Sequence, residues 1–160
     1  MHNTPRKLIR DLGLQPHPEG GFYREIHRSR ERVTTARGRR SALTTIYFLL
    51  AKGQPSVFHR VTSDEVWHYY GGSALRLWRV AGDFSQKERI TLGPTERRAT
   101  RVAVIPRGDW QAAESLGEYT LVGCTVGPGF DFADFTMLRD ASRAAARMES
   151  AFPALAKRFC

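Results

Sequence analysis

The chain has 160 residues, 41% of them hydrophobic and 26% charged, which fits one globular domain over residues 1–160 and excludes a disordered or fibrous protein. Its net charge of +9 raises nucleic acid as a partner. The arginines are nevertheless spread along the chain and no base-reading motif accompanies them, so a solvated basic surface with no specific nucleic-acid partner is expected.

Thr4 followed by Pro5 starts a short helix through Leu12, with Leu8, Ile9 and Leu12 at helical spacing and Gly13 as its stop. The opening stretch lacks the apolar core of a signal peptide. No window reaches the roughly eighteen apolar residues of a membrane span, so a cytoplasmic protein away from the membrane is expected. Pro16-His17-Pro18-Glu19-Gly20-Gly21 then forms a rigid turn. Either the motif only fixes the backbone path, or it carries His17 or Glu19 to a binding site.

Strands are predicted at 22–29, 43–51, 56–61, 65–70, 74–81, 87–92, 99–105, 110–115, 119–126 and 132–138, separated by Gly/Pro punctuation such as Gly71-Gly72-Ser73 and Pro106-Arg107-Gly108. The arginine-dense stretch that includes Arg30, Arg32, Arg37, Arg39 and Arg40 reads as a loop. Many short strands without interleaved long helices argue for an all-β sandwich or barrel, with its core at about 20–138. Residues 140–157 are rich in Ala and Arg, with Leu138, Ala141, Ala145 and Met148 near helical spacing, and predict one C-terminal helix. The two cysteines, Cys124 in an apolar run and Cys160 at the end, provide no disulfide framework and fit a reducing compartment. Cys124 reads as a small buried hydrophobe.

Chemistry concentrates in GQPSVFHRVTSDEVWHYYGG, residues 53–72. His59 and Glu65 sit on adjoining strands joined by Thr62-Ser63-Asp64. With His59 pointing inward, alternation turns Val61, Glu65, Trp67 and Tyr69 to the same interior and His68 and Tyr70 away from it. An imidazole and a carboxylate converging on one cavity make a metal site, an acid/base pair, a metal-free ligand pocket or a satisfied polar core. Tyr23 and Glu25 share a face of the strand at 22–29, and Tyr47 lies on the apolar strand that follows; a tyrosine hydroxyl in the cavity would donate to a ligand oxygen.

By spacing, this segment resembles the first cupin signature, in which a glycine precedes a His-x-His pair, a glutamate and a closing glycine. Gly53, His59, Glu65 and Gly72 fall in place, and Val61 stands at the second histidine. The second signature is matched by Pro106 and Gly108, with Gln111 where its histidine belongs. Longer motifs, LGLQPHPEGGFYREIHRS, TTIYFLL, HRVTSDEVWHYYGG, VIPRGDWQAAE and LVGCTVGPGFDFADF, resemble in order the uncharacterised cupin-5 group, a domain of unknown function. That resemblance implies a jelly-roll barrel, the cupin double-stranded β-helix, commonly homodimeric and related in shape to sugar-nucleotide epimerases. It implies no settled activity.

The ligand set that remains, His59, Glu65 and the amide oxygen of Gln111, would hold a divalent metal only weakly. Two functions stay open. One is a small-molecule-binding barrel with Gln111, Trp67, Tyr69, Tyr47 and Glu19 as walls and hydrogen-bonding groups, taking a carbohydrate or an anionic compound. The other is an enzyme of sugar or sugar-nucleotide isomerase or epimerase type, with His59 or Glu65 as base and Tyr23 as acid.

Overall fold

The structure, a computed structural model, describes residues 4–94 and 99–160. It opens on α1 (Pro5–Leu12), capped as the sequence predicts: Thr4 accepts from the Lys7 N–H, and Gly13 closes the helix at φ 63°. Strands β1 (Gln15–Pro16), β2 (Phe22–Arg28), β3 (Arg32–Thr35), β4 (Gly38–Ser41), β5 (Thr44–Ala51), β6 (Ser56–Val61), β7 (Asp64–Gly72), β8 (Leu75–Val80), β9 (Lys87–Leu92), β10 (Val102–Ile105), β11 (Trp110–Ser115), β12 (Tyr119–Gly127) and β13 (Phe135–Met137) follow, then α2 (Ser142–Ala151) and α3 (Pro153–Phe159).

Two antiparallel sheets face each other, a six-stranded one in the order β1-β2-β5-β12-β7-β10 and a five-stranded one in the order β13-β6-β11-β8-β9. This is the mostly-β double-stranded β-helix expected from the sequence. Between the sheets pack Phe48, Leu50, Trp67, Leu75, Leu77, Leu92 and Ile105. A second apolar layer lies outside the five-stranded sheet, where Phe58, Val80, Trp110 and Ala112 meet Leu138, Met148, Leu155 and Phe159. The C-terminal helices therefore cover the back of that sheet and leave the barrel interior to the strands.

Three expectations need correction. The arginine-rich stretch is a hairpin of its own, β3 with β4, paired from Arg32↔Ser41 to Thr35↔Gly38. Gly38 takes the turn at φ 105°, and Arg40 anchors the ribbon on Asp134 at 2.7 and 3.1 Å. The single helix over 140–157 is two. Phe152 adopts φ −141° ψ 63°, outside the helical region, because the ring of Pro153 disfavours helical backbone in the residue before it. Pro153 then sits in the first turn of α3, where its missing N–H costs nothing. The predicted strand over 132–138 shrinks to β13, flanked by 3-10 turns at Phe132–Asp134 and Leu138–Asp140.

Candidate functional site

The rigid turn at residues 16–21 positions the first site group. Gly20, at φ 107°, has space for no side chain: a Cβ there would lie 2.2 Å from the Pro55 carbonyl oxygen. That close approach lets the Val57 N–H reach the Glu19 carbonyl at 2.8 Å and drives the Glu19 side chain into the barrel. There Ser56 Oγ donates to Glu19 Oε1 at 2.9 Å. Glu19 Oε2 lies 3.2 Å from His59 Nε2 and 3.4 Å from His17 Nδ1.

Each imidazole is oriented by its other contacts. His59 Nδ1 is 2.8 Å from the Val57 carbonyl. A carbonyl only accepts, so Nδ1 carries the proton and Nε2 offers its lone pair to Glu19. The Glu19 N–H donates to His17 Nδ1 at 3.3 Å, which makes Nδ1 an acceptor there too. Burial pushes the Glu19 carboxyl up to about 7 and holds His17 and His59 below the usual imidazole range. Together these directions describe a neutral pair, with the Glu19 carboxylic acid donating to His59 Nε2.

Strand alternation supplies the rest. Glu65 enters from β7 beside Cys124 of β12, and burial raises both the carboxyl and the thiol. His17, Glu19, Tyr23, His59, Val61, Glu65 and Cys124 line a cavity of about 280 Å³, with Ile46, Phe48 and Val126 among its apolar walls. Phe130, Phe132 and Phe135 come from the segment after β12. The Phe135 ring stacks on His59 with centroids 5.5 Å apart, and the His17 ring sits edge-on to Tyr23 at 4.7 Å. At the mouth, Arg28 is paired with both oxygens of Glu25 and donates to the Phe130 carbonyl.

Of the residues expected at the site, His59, Glu65, Tyr23, Glu19, His17 and Val61 meet in this cavity. The structure places the others elsewhere. Gln111 is fully buried behind Glu65: Trp67 Nε1–H donates to its Oε1 at 2.9 Å, and its Nε2 donates to Glu65 Oε2 at 2.5 Å. Trp67 itself packs in the closed core. Tyr69 lies at the edge of that core, with its hydroxyl donating to the Gly72 carbonyl at 2.6 Å. Tyr47 is on the opposite face of its strand from Phe48 and packs against Tyr70. Sequence reasoning missed the phenylalanines, although their crowding in GPGFDFADF was a visible signal, and it missed the Glu25–Arg28 pair.

The expected metal set does not fit a metal. Indole nitrogen is only a donor, so the Gln111 amide must turn its oxygen to Trp67 and its NH₂ to Glu65. The group aimed at the carboxylate is thus a donor, where a metal needs an electron pair. Among the described residues no group of three or more His, Cys, Asp or Glu is placed to hold a metal ion.

A family model described as "Cupin superfamily (DUF985)" matches residues 6–138. A hypothetical protein from Leishmania major is 34% identical with a TM-score of 0.88, the match covering 99% of this chain and 99% of that one. A structural-genomics target from Shewanella oneidensis is 29% identical, covering 99% of this chain and 98% of its own, with a TM-score of 0.86. Oxalate decarboxylase from Bacillus subtilis shares the fold alone, at 15% identity and a TM-score of 0.59 over 86% of this chain and 34% of that one. None of the curated proteins matches the chain.

Proposed function

Since the chain belongs to the cupin superfamily, in the DUF985 family, and that fold hosts unrelated activities, function has to be read from the cavity; we propose that the cavity binds a small organic molecule against the Glu19–His59 pair. The observation that carries this reading is a buried carboxyl at 3.2 Å from an imidazole, on the wall of a 280 Å³ cavity rather than in a filled core. Polar groups buried for stability alone are normally packed around. Here the space beside them is left open, and apolar walls such as Ile46, Phe48, Val126 and Phe135 alternate with a few polar groups, the usual composition of a ligand site. Of the ligand classes expected from the sequence, a neutral carbohydrate is compatible with this lining. An anion would meet Glu19, Glu65, Glu25 and Asp131.

A second reading, proton transfer of the isomerase or epimerase kind, is favoured by the Glu19 carboxyl standing at about 7. A group with that value gives and takes a proton readily at neutral pH. In this reading Glu19 replaces Glu65 as the principal partner of His59, and Tyr23, on the same cavity wall, supplies the second proton.

The test uses protein purified without chelator, denatured, with the released small molecules identified by mass spectrometry. A compound recovered from the wild type, and lost from both His59→Ala and the cavity-filling Val61→Phe, supports the reading. Protein that releases nothing, and that no member of a broad metabolite library protects against heat, counts against it. Incubating the identified compound in D₂O separates the two readings, because deuterium enters carbon only if the pair transfers protons.

We also propose that the chain forms a homodimer through the outer face of the six-stranded sheet. That face exposes Tyr70, Val102 and Val104 by 51%, 47% and 52% and ends at the open edge of β10. Sedimentation at micromolar concentration should give twice the 18.1 kDa chain mass; a monomer that persists there would refute the dimer.

A further inference from the structure

The chain as a whole is strongly basic, with a net charge of +9, yet its cavity is acidic. Glu19, Glu25, Glu65 and Asp131 line it, and among the described residues Arg28 is the one Lys or Arg in the lining. Arg28 donates to both oxygens of Glu25 at 3.0 and 2.8 Å and to the Phe130 carbonyl at 3.0 Å, so its charge is already matched. Both imidazoles are held in the neutral form by burial. Deeper in, the two carboxyls are each only 7% exposed. Neither has a Lys or Arg partner among the described residues: Glu19 accepts from Ser56 and lies beside imidazoles, and Glu65 accepts from Gln111 next to the Cys124 thiol.

A buried carboxyl either keeps its proton, as Glu19 does beside His59, or ionises next to a cation, because an uncompensated negative charge in a dry site is costly. We propose that the ligand supplies that cation: a molecule bearing a primary amine or an equivalent ammonium group, its charged end received between Glu19 and Glu65 and its body against Phe48, Phe135 and Val61. Tyr23, Phe48 and Phe135 present aromatic rings to the same space, and aromatic faces attract cations, most strongly where water is excluded. An organic ammonium fits better than a metal ion, since the Gln111 NH₂ occupies one flank of Glu65. This assignment rests on the reading of the cavity as a ligand site and narrows it to one chemical class.

Three probes of matched shape test it on the full chain: benzylamine, benzyl alcohol and benzoate, titrated calorimetrically at about pH 8, where the amine is still protonated. The expected order is amine, alcohol, benzoate, with the amine at least about tenfold tighter than the alcohol. Glu65→Gln, which keeps shape and hydrogen bonding, should cut the preference for the amine over the alcohol severalfold, because one of the two receiving carboxyls loses its charge. Alcohol or benzoate binding as tightly as the amine would overturn the cationic assignment while leaving the cavity a ligand site. Failure of all three up to about 10 mM, which bounds any affinity to a few kcal/mol, overturns the assignment too; the underlying reading then stands or falls on whether Val61→Phe changes what the purified protein releases.

Discussion

The two halves of the barrel interior are equally hidden from water and behave in opposite ways. In the closed half, Leu50, Leu75, Leu77, Leu92 and Trp67 are at most 1% exposed and fill the space between the sheets. In the open half, His59 is also 1% exposed and Glu19 and Glu65 are 7% exposed, but they border an unfilled cavity. Burial of apolar area stabilises the first half by roughly 25 cal/mol per Å². The same burial displaces the proton equilibria of the second, raising its carboxyls and lowering its imidazoles. Gln111 marks the boundary, tying Trp67 on the closed side to Glu65 on the open side.

The largest effect expected from breaking this division is on the closed side. Leu77→Ala should cost about 2–5 kcal/mol by opening a void in packed surroundings, with ligand binding unchanged in the folded fraction; denaturant unfolding measures the first and calorimetry the second. On the open side, Glu19→Gln should change the pH dependence of stability. The Glu19 carboxyl stands at about 7 in the fold against an ordinary value of 4.5. Between those values the unfolded chain ionises while the folded chain keeps its proton. The stability Glu19 contributes is therefore fully present below about 4.5 and lost as pH rises through 7, a loss of roughly 3 kcal/mol. The glutamine variant should lack that decline. His17 and His59, held low, act in the opposite sense and lose stability as pH falls below their ordinary 6.5, in both proteins.

Gln111→Ala probes the boundary. It leaves the Trp67 N–H without an acceptor and Glu65 without its amide donor, and should cost about 1–3 kcal/mol in thermal or denaturant unfolding. His59→Ala should cost less than the closed-side variant and remove ligand binding, because it opens a polar wall rather than a packed core. The smallest effect expected is that of chelation. Dialysis against EDTA should move the melting temperature by less than about 1 °C, since a bound ion would otherwise stabilise the native state by mass action; a clear drop would restore the metal reading of His59 and Glu65.

Most of the fold was legible because its punctuation is local. Ser56–Val61, Lys87–Leu92 and Trp110–Ser115 lie where the sequence puts strands, and Thr4, Pro5 and Gly13 bound α1 as their chemistry requires. Alternation also turned Glu65 and Trp67 inward and Tyr70 outward. The site was less legible because half of it arrives on turns and loops whose paths depend on distant contacts. Glu19 reaches His59 only because Gly20 abuts the Pro55 carbonyl, and Phe135 reaches it because β13 pairs with β6, Met137 opposite His59. Gln111 shows a different gap: its spacing places it beside His59 on the neighbouring strand, but spacing does not say that an indole donor has claimed its oxygen. The β3–β4 ribbon escaped notice because its short strands carry a single apolar residue, Val33, and show no apolar alternation to read.

The claim on which the account turns is that Glu19, inside the cavity, keeps its proton to near neutral pH against His59. Carbon-13 NMR of the glutamate side-chain carboxyls, titrated with pH and assigned by Glu19→Gln, reads this directly. The account predicts one carboxyl, missing from the variant, that titrates with a midpoint near 7. A Glu19 carboxyl titrating near its ordinary 4.5 would contradict it, and with it the neutral acid–imidazole pair.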